Sequence, residues 1–183
     1  MVRTAPDANF TLKDGASVRI RTVRPEDDRC LVEIFNRLSP LSVYQRFFTA
    51  IPELTPAMAR YLANVVSRLG LALIAEAETG PVGVARYERT RDPGLVEIAL
   101  AVVDDWQNRG LGRTLLREIR RAAEGNGIHR FWGEILAENR RMLRLLATEF
   151  RIEDSRTEAG VTTVLLTSRL AGAAAALFSR GGS

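Results

Sequence analysis

Lysine is nearly missing from this chain: Lys13 stands alone among 26 basic residues, and the rest are arginine. A Walker A phosphate loop needs a lysine directly after its last glycine, so that class of nucleotide-binding protein is excluded. Cysteine is equally scarce. With Cys30 alone, neither an intrachain disulfide nor a cysteine-built zinc site can form, and no metal is expected. The single histidine, His129, stands at a strand start, with no Gly-x-Ser-x-Gly elbow anywhere in the chain, and reads as a surface residue. No apolar run approaches the roughly 20 residues that span a bilayer. The opening Met1-Val2-Arg3-Thr4-Ala5-Pro6-Asp7 lacks the apolar stretch of a secretion signal, so the expected setting is cytoplasmic, with no membrane partner.

The chain has 183 residues, 46% hydrophobic and 26% charged, which suits one globular domain with a sizeable core. A net charge of +4 favours anionic partners: nucleic acid, a membrane surface or a phosphorylated cofactor. An arginine-rich codon bias accounts for the same composition.

Along the chain, Phe10–Lys13, the turn Asp14-Gly15 and Ser17–Val23 predict a hairpin. Pro25 opens a helix with Glu26, Asp27 and Asp28 in its first turn and Leu31, Ile34, Phe35 and Leu38 on its apolar face. Thr55-Pro56 opens a second helix, with Met58, Tyr61, Leu62 and Val65 at helical spacing. Tyr44, Phe47 and Phe48, at i, i+3 and i+4, are expected in the core. The period then changes: Leu71–Ala77, Val82–Arg89 and Leu95–Val103 predict a three-strand meander. A helix from Gly110 to about Glu124, with Leu115, Leu116, Ile119, Ala122 and Ala123 inward, leads to a strand at Arg130–Ala137. That crossover requires the strand to lie parallel to Leu95–Val103. Asn139 caps a helix reaching Phe150, and two strands flank Ala159-Gly160. The expectation is an α/β (mixed α+β) fold: one central sheet, mostly antiparallel with one parallel pair, helices on both faces. Residues 1–16 form an arm with part of the hairpin, 17–168 the domain, and 169–183 a flexible tail.

The segment Gln107-Asn108-Arg109-Gly110-Leu111-Gly112 joins a strand to a helix. Amides at a helix start have no intrahelical partner and carry partial positive charge. Gly110 and Gly112 let a ligand approach the backbone, while Arg109 and Arg113 offer charge-assisted donors to phosphate. This is the pattern of a pyrophosphate cradle; a glycine pair used only for turning is the plain alternative. A Rossmann fingerprint needs a third glycine where Leu115 stands, and the meander before the loop is the wrong topology for it, although Glu134 sits near the place of its ribose-binding acid.

That segment resembles the Q/R-x-x-G-x-G/A acetyl-CoA motif of the GNAT superfamily of N-acetyltransferases. Val102-Val103-Asp104-Asp105-Trp106 and Glu138-Asn139-Arg140-Arg141-Met142-Leu143 resemble the same family. Val23-Arg24-Pro25-Glu26-Asp27 and Leu38-Ser39-Pro40-Leu41-Ser42-Val43-Tyr44-Gln45-Arg46-Phe47-Phe48 are similar to bacterial Pat-like protein-lysine acetyltransferases, whose GNAT domain is often fused to a cyclic-nucleotide or CoA-ligase module. The resemblance implies that residues 107–113 bind the pyrophosphate of acetyl-CoA. It also implies that backbone groups near Ala101 and Val102 hold the pantetheine arm, and that Asn139 touches the cofactor. It departs from the family at two places: the late-helix tyrosine that protonates the leaving thiolate falls at Leu146, and the usual Gly-Phe is Glu149-Phe150.

Glu97 is a carboxylate inside the apolar strand Leu95-Val96-Glu97-Ile98-Ala99-Leu100-Ala101-Val102-Val103, on the face of Ala99, Ala101 and Val103. Acetyl transfer needs a neutral amine, and neutralising a lysine-like amine near pH 7.4 costs roughly 4 kcal/mol. A carboxylate, directly or through water, supplies the proton acceptor. The resemblance also puts the general base on this strand; a solvated strand residue is the alternative. The expected partners are acetyl-CoA and an amine acceptor, protein lysine or a small-molecule amine, with a homodimer left open. The rival function is a non-catalytic acyl-CoA-binding or nucleic-acid-binding module using a solvated arginine face at Arg113, Arg117, Arg120 and Arg121. Glu118, Glu124 and Glu138 interrupt the basic faces and argue against nucleic acid.

Overall fold

A computed structural model describes residues 7–65 and 70–168. Six residues of the N-terminal arm and the tail from 169 onward therefore lie outside the described residues. Eight strands form one sheet in the order β1-β2-β3-β4-β5-β6-β8-β7. β1 (Ala8–Thr11) and β2 (Ser17–Thr22) make the hairpin, with Gly15 at φ +84° in the turn. β3 (Leu71–Ala77), β4 (Gly80–Arg89) and β5 (Leu95–Val102) follow as the antiparallel meander. β6 (Arg130–Leu136) runs parallel to β5, as a helical crossover demands. β7 (Phe150–Glu158) and β8 (Val161–Ser168) close the sheet through a turn with Ala159 and Gly160 both at positive φ.

Among the described residues three α-helices precede the meander, where two are expected. α1 (Asp28–Asn36) begins after a single 3-10 turn at Pro25–Asp27 and buries Leu31, Ile34 and Phe35. The extra helix, α2 (Pro40–Phe47), has Ser39 as N-cap and proline at its first position. Val43 is its one buried side chain, so its apolar stripe is too narrow to stand out as a period. Tyr44, expected in the core, points outward, while Phe47 and Phe48 are half-buried. α3 (Pro56–Ala63) buries Ala59 and Ala63, the expected Met58 and Leu62 pack against the core and Val65 just beyond it is buried, whereas Tyr61, expected on the same face, is exposed. α4 (Leu111–Gly125) packs Leu115 over Gly83, and α5 (Arg140–Glu149) packs beside α4. Ala72, Val84 and Ala101 on the opposite face of the sheet meet Leu31, Ile34 and Phe35 of α1.

Polar clamps fix the outer elements. The Arg21 guanidinium on β2 forks to both oxygens of Asp27, at 2.7 and 2.9 Å, and to both oxygens of Glu76 on β3, at 3.0 and 2.6 Å. The Arg24 amide donates to the same Asp27 carboxylate at 2.7 Å. Burial pushes the Asp27 carboxyl up, but these donors prevail and hold it below its ordinary value. Arg21→Met leaves that carboxylate without its counter-ion and is expected to cost about 3–5 kcal/mol in urea unfolding. Because the folded carboxyl titrates below the unfolded one, its contribution is complete above about pH 4 and fades as pH falls through the folded value. The wild-type urea midpoint should accordingly drop more steeply below pH 4 than that of Arg21→Met.

Candidate active site

β5 leads into a 3-10 turn, Asp104–Trp106, whose Trp106 ring is buried. The chain then passes twice through the left-handed region, at Asn108 (φ +62°) and Gly110 (φ +96°), before α4 begins. Side chains cap α2, α3 and α5: Ser39, Thr55 and Asn139 each accept an amide from the first turn of their helix. The N-cap of α4 is Gly110, which has no side chain to do this. The first backbone bond of α4 runs from the Thr114 amide to the Gly110 carbonyl, which leaves the amides of Leu111, Gly112 and Arg113 without an intrahelical acceptor. Such an end is an anion site by construction. A Cβ on Gly112 would lie 3.3 Å from Leu145 Cδ2 and 3.6 Å from Leu100 Cδ2, so its bare hydrogen keeps the cleft over β5 open.

The predicted binding residues divide between pointing at this space and supporting it. Gln107 is a strut: its Nε2 donates to the Val102 carbonyl (3.1 Å) and Ser42 Oγ (3.2 Å), and its Oε1 accepts from Arg141 (2.7 Å). Arg109 is ion-paired with Asp14 and stacks over the Trp106 ring with its guanidinium carbon 4.0 Å from the centroid. Arg113 reaches Glu149 at 2.9 Å, so the glutamate in the usual glycine place is neutralised by α4. Asn139 uses its Oδ1 to cap the Met142 amide and lines the cleft. Arg141 on α5, not singled out beforehand, lines the cleft as well. A signal for it was available: Arg140 and Arg141 occupy the first turn of α5, where the helix dipole disfavours cations.

Asp104 ties α2 to this loop. Its carboxylate accepts the Ser39 amide (2.8 Å), Ser39 Oγ (2.7 Å) and Ser42 Oγ (3.0 Å). Burial opposes the charge, and the bonds from Ser39 and Ser42 hold the Asp104 carboxyl below its ordinary value all the same.

β5 and β6 pair only from Leu95↔Arg130 to Glu97↔Trp132 and then part. The orientation of the β5 backbone beyond this point follows from its contacts. The Val103 amide donates to Val82 of β4 and the Ala101 carbonyl lies beside Gly83, so odd-numbered residues turn their polar groups to β4. The Val102 carbonyl meets Gln107 and the Ile98 carbonyl lies next to Gly133, so the even-numbered residues face the gap. Ile98, Leu100 and Val102 thus present the open backbone edge, and Ala101 borders the cleft between two of them.

Glu97 is exposed at the apex where the strands part. Its cross-strand neighbour is Glu88 on β4, which pairs with Arg86, and Glu134 on β6 borders the same opening. Leu146, in the place of the family tyrosine, is buried at the inner end of the cleft. His129 is exposed against Ser168. The arginine face on α4 is solvated at Arg113 and Arg121, as expected, and its cations are also paired: Arg117 and Arg121 bridge the buried Glu118, while Arg120, which is itself largely covered, bridges Glu124 and Glu149. Among the described residues no acidic, histidine or cysteine cluster suits a metal, and no helix is long and apolar enough to cross a membrane.

Comparison with known proteins gives the same answer as the geometry. Residues 37–150 match the model of the acetyltransferase (GNAT) family. Acetyltransferase PA5475 of Pseudomonas aeruginosa is 33% identical over 136 residues, covering 72% of this chain and 73% of that protein. Acetyltransferase Pat of Mycolicibacterium smegmatis is 28% identical over 138 residues, 74% of this chain but only 41% of Pat. Among solved structures, the GNAT domain of S. lividans PAT superposes with a TM-score of 0.80 at 26% identity, covering 88% of this chain and 96% of that one. YncA from Salmonella typhimurium, solved with its cofactor acetyl-CoA, shares the fold at a TM-score of 0.66 and 21% identity, over 81% of this chain and 91% of that one. The chain belongs to the GNAT acetyltransferase family and is an acyl-CoA-dependent N-acetyltransferase.

Proposed function

We propose that this enzyme transfers the acetyl group of acetyl-CoA to a primary amine, a protein lysine, by direct attack with Glu97 as general base. The observation that carries this reading is the uncapped start of α4 beside an open backbone edge of β5 that ends at a carboxylate. Resemblance to the Pat proteins supports lysine as the acceptor. Acetyl-CoA supplies a thioester carbonyl already activated toward nucleophiles. The amides of Leu111, Gly112 and Arg113 hold its pyrophosphate, assisted by Arg141 and framed by Gln107, Asn108, Arg109 and Gly110. The gap-facing backbone of Leu100 and Val102 pairs with the pantetheine amides as an added strand would, with Ala101 and Asn139 lining the arm. Glu97 takes the proton of the incoming ammonium, directly or through water. The neutral nitrogen then forms the C–N bond as the C–S bond breaks, and the second proton that the acylated nitrogen sheds passes to water as the amide and the thiolate of coenzyme A form. With Leu146 in the tyrosine place, we assign protonation of that thiolate to water.

Three measurements test these roles. Gly112 has helical backbone angles, so a valine there costs α4 nothing in propensity yet projects into the cleft. Gly112→Val should raise the calorimetric Kd for acetyl-CoA at least about tenfold, the worth of one charge-assisted hydrogen bond, with the fold intact. Unchanged affinity removes the cradle assignment. Leu146→Ala opens a cavity at a buried site and should cost about 2–5 kcal/mol of stability while leaving the pH–rate profile as it is. A basic limb that vanishes with this substitution would show that the residue or its neighbour handles the thiolate proton. Glu97→Gln keeps the side-chain shape but cannot accept a proton. It should bind acetyl-CoA normally, lose roughly 10²- to 10⁴-fold in turnover, lose the acid limb of kcat/KM, and recover partly at high pH. Wild-type turnover and pH profile in this variant would leave cofactor binding standing and remove Glu97 from the mechanism.

A further inference from the structure

Arg46 is the residue of the cleft that this mechanism leaves idle. It projects from the last turn of α2 and borders both the hollow over Leu100 and Val102 and the opening that contains Glu97 and Ala99. It is half-buried and rests against its neighbour Phe47, its guanidinium carbon 5.0 Å from the ring centroid. Burial pulls its guanidinium below the usual arginine range while Glu97 pulls the other way. Three carboxylates share the neighbourhood, and none is an ion-pair partner within 4 Å: Glu88 belongs to Arg86, and Glu97 and Glu134 stand apart. Among the described residues, Arg46 therefore spends none of its five donors on a protein acceptor. Other arginines that fasten this fold, Arg21, Arg37 and Arg120, are all matched with carboxylates. A half-buried guanidinium that spends no donor on the protein keeps its planar fork available to a ligand, and that fork matches a carboxylate bidentately.

We propose that Arg46 is a specificity-determining residue that binds a carboxylate carried by the acceptor, so that the preferred acceptor presents its amine to Glu97 and an acidic group to Arg46. The inference rests on the acetyltransferase reading above. Two of the hollows Arg46 borders also touch α4 and α5, but the one it shares with Glu97, Ala99, Tyr61 and Arg86 contains no residue of either helix, and that side is the one we assign to the acceptor. The carboxylate has two sources, a free amino acid or an acidic side chain next to a lysine in a polypeptide.

Thiol release from acetyl-CoA is measured at low salt with two matched pairs of acceptors. The first is Nα-acetyl-lysine with a free carboxylate against its methylamide; the second is a blocked peptide with Glu-Lys against one with Gln-Lys. The carboxylate member of at least one pair should be favoured in kcat/KM by roughly 10- to 100-fold, and the pair concerned identifies the source. The preference should shrink with added salt. Arg46→Gln should bring the ratio close to one, Arg46→Lys should keep part of it, and the calorimetric Kd for acetyl-CoA should stay within about twofold in both. Equal rates within both pairs for the wild-type enzyme overturn the subsite without recourse to any variant, while thiol release itself leaves the transferase reading intact. Release from no amine at all overturns both. A ratio that survives Arg46→Gln, a Kd for acetyl-CoA that rises with it, or a wild-type preference for succinyl-CoA that the variant loses each removes the acceptor carboxylate from Arg46.

Discussion

The parting of β5 from β6 after Glu97 and Trp132 is the constraint on which the rest of the site depends. A parallel pair in the middle of a sheet ordinarily continues its ladder, since each unpaired buried backbone group costs on the order of 1–3 kcal/mol. Here three residues of β5 turn their polar groups into a gap. The gap persists because other elements are wedged around it: the ends of α2 and α4, and the Met142 and Leu145 side chains of α5. Asp104 and Gln107 secure that wedge by hydrogen bonds across 62 to 65 residues of sequence, from the loop after β5 to the first turn of α2. Loss of those bonds would free α2 from the loop, and with it the side of the cleft that carries Gln45 and Arg46.

Electrostatics follow the same division between what is spent and what is left over. A net charge of +4 invites a search for anionic partners, yet much of the arginine is consumed internally. Arg21 clamps β2 to β3 and to the start of α1, Arg37 ties α1 to the carbonyl of Pro81 at 3.0 Å, and Arg113 and Arg120 join α4 to α5 through Glu149. What faces the cleft is smaller and more specific: three amides at the start of α4, Arg141 against the dipole of α5, and Arg46. α4, which carries more arginines than any other described helix, is therefore a poor nucleic-acid surface, because its cations already neutralise carboxylates.

Much of this was legible in the sequence, and the gaps have physical causes. Strand alternation, the Gly-rich start of α4 and the parallel crossover rest on local periodicity and chain geometry, so β3, β4, β5, α4 and β6 fall close to where the residues put them. α2 escaped because it is eight residues long with one buried side chain; Ser39 and Pro40 were the available signals, and they speak of capping rather than of period. The orientation of Tyr44 and Tyr61 depends on which way short helices roll against the sheet, which spacing alone leaves undetermined. The ion pairs of Arg109 and Arg113 were hidden for a similar reason. Their partners, Asp14 and Glu149, lie 95 and 36 residues away, and no local pattern announces a contact at that range.

The backbone around Glu97 shows what the proposed base gains from standing at that residue rather than at the next. In an extended strand, odd and even residues send side chains to opposite faces and polar groups to opposite edges. On β5 the even residues give the open edge to the gap, so a substrate arm paired there lies in the plane of the sheet with Leu100 and Val102 packed toward α4 and α5. The odd residues Glu97, Ala99 and Ala101 face the other way, toward α1, α2 and α3. An acceptor approaching from that side meets the carboxylate first and two methyl-sized neighbours beyond it, which leave room for a carbon chain. In the proposed mechanism the separation of donor from acceptor follows from strand parity, and moving the carboxylate by one position, to Ile98, would bury it beside Leu116.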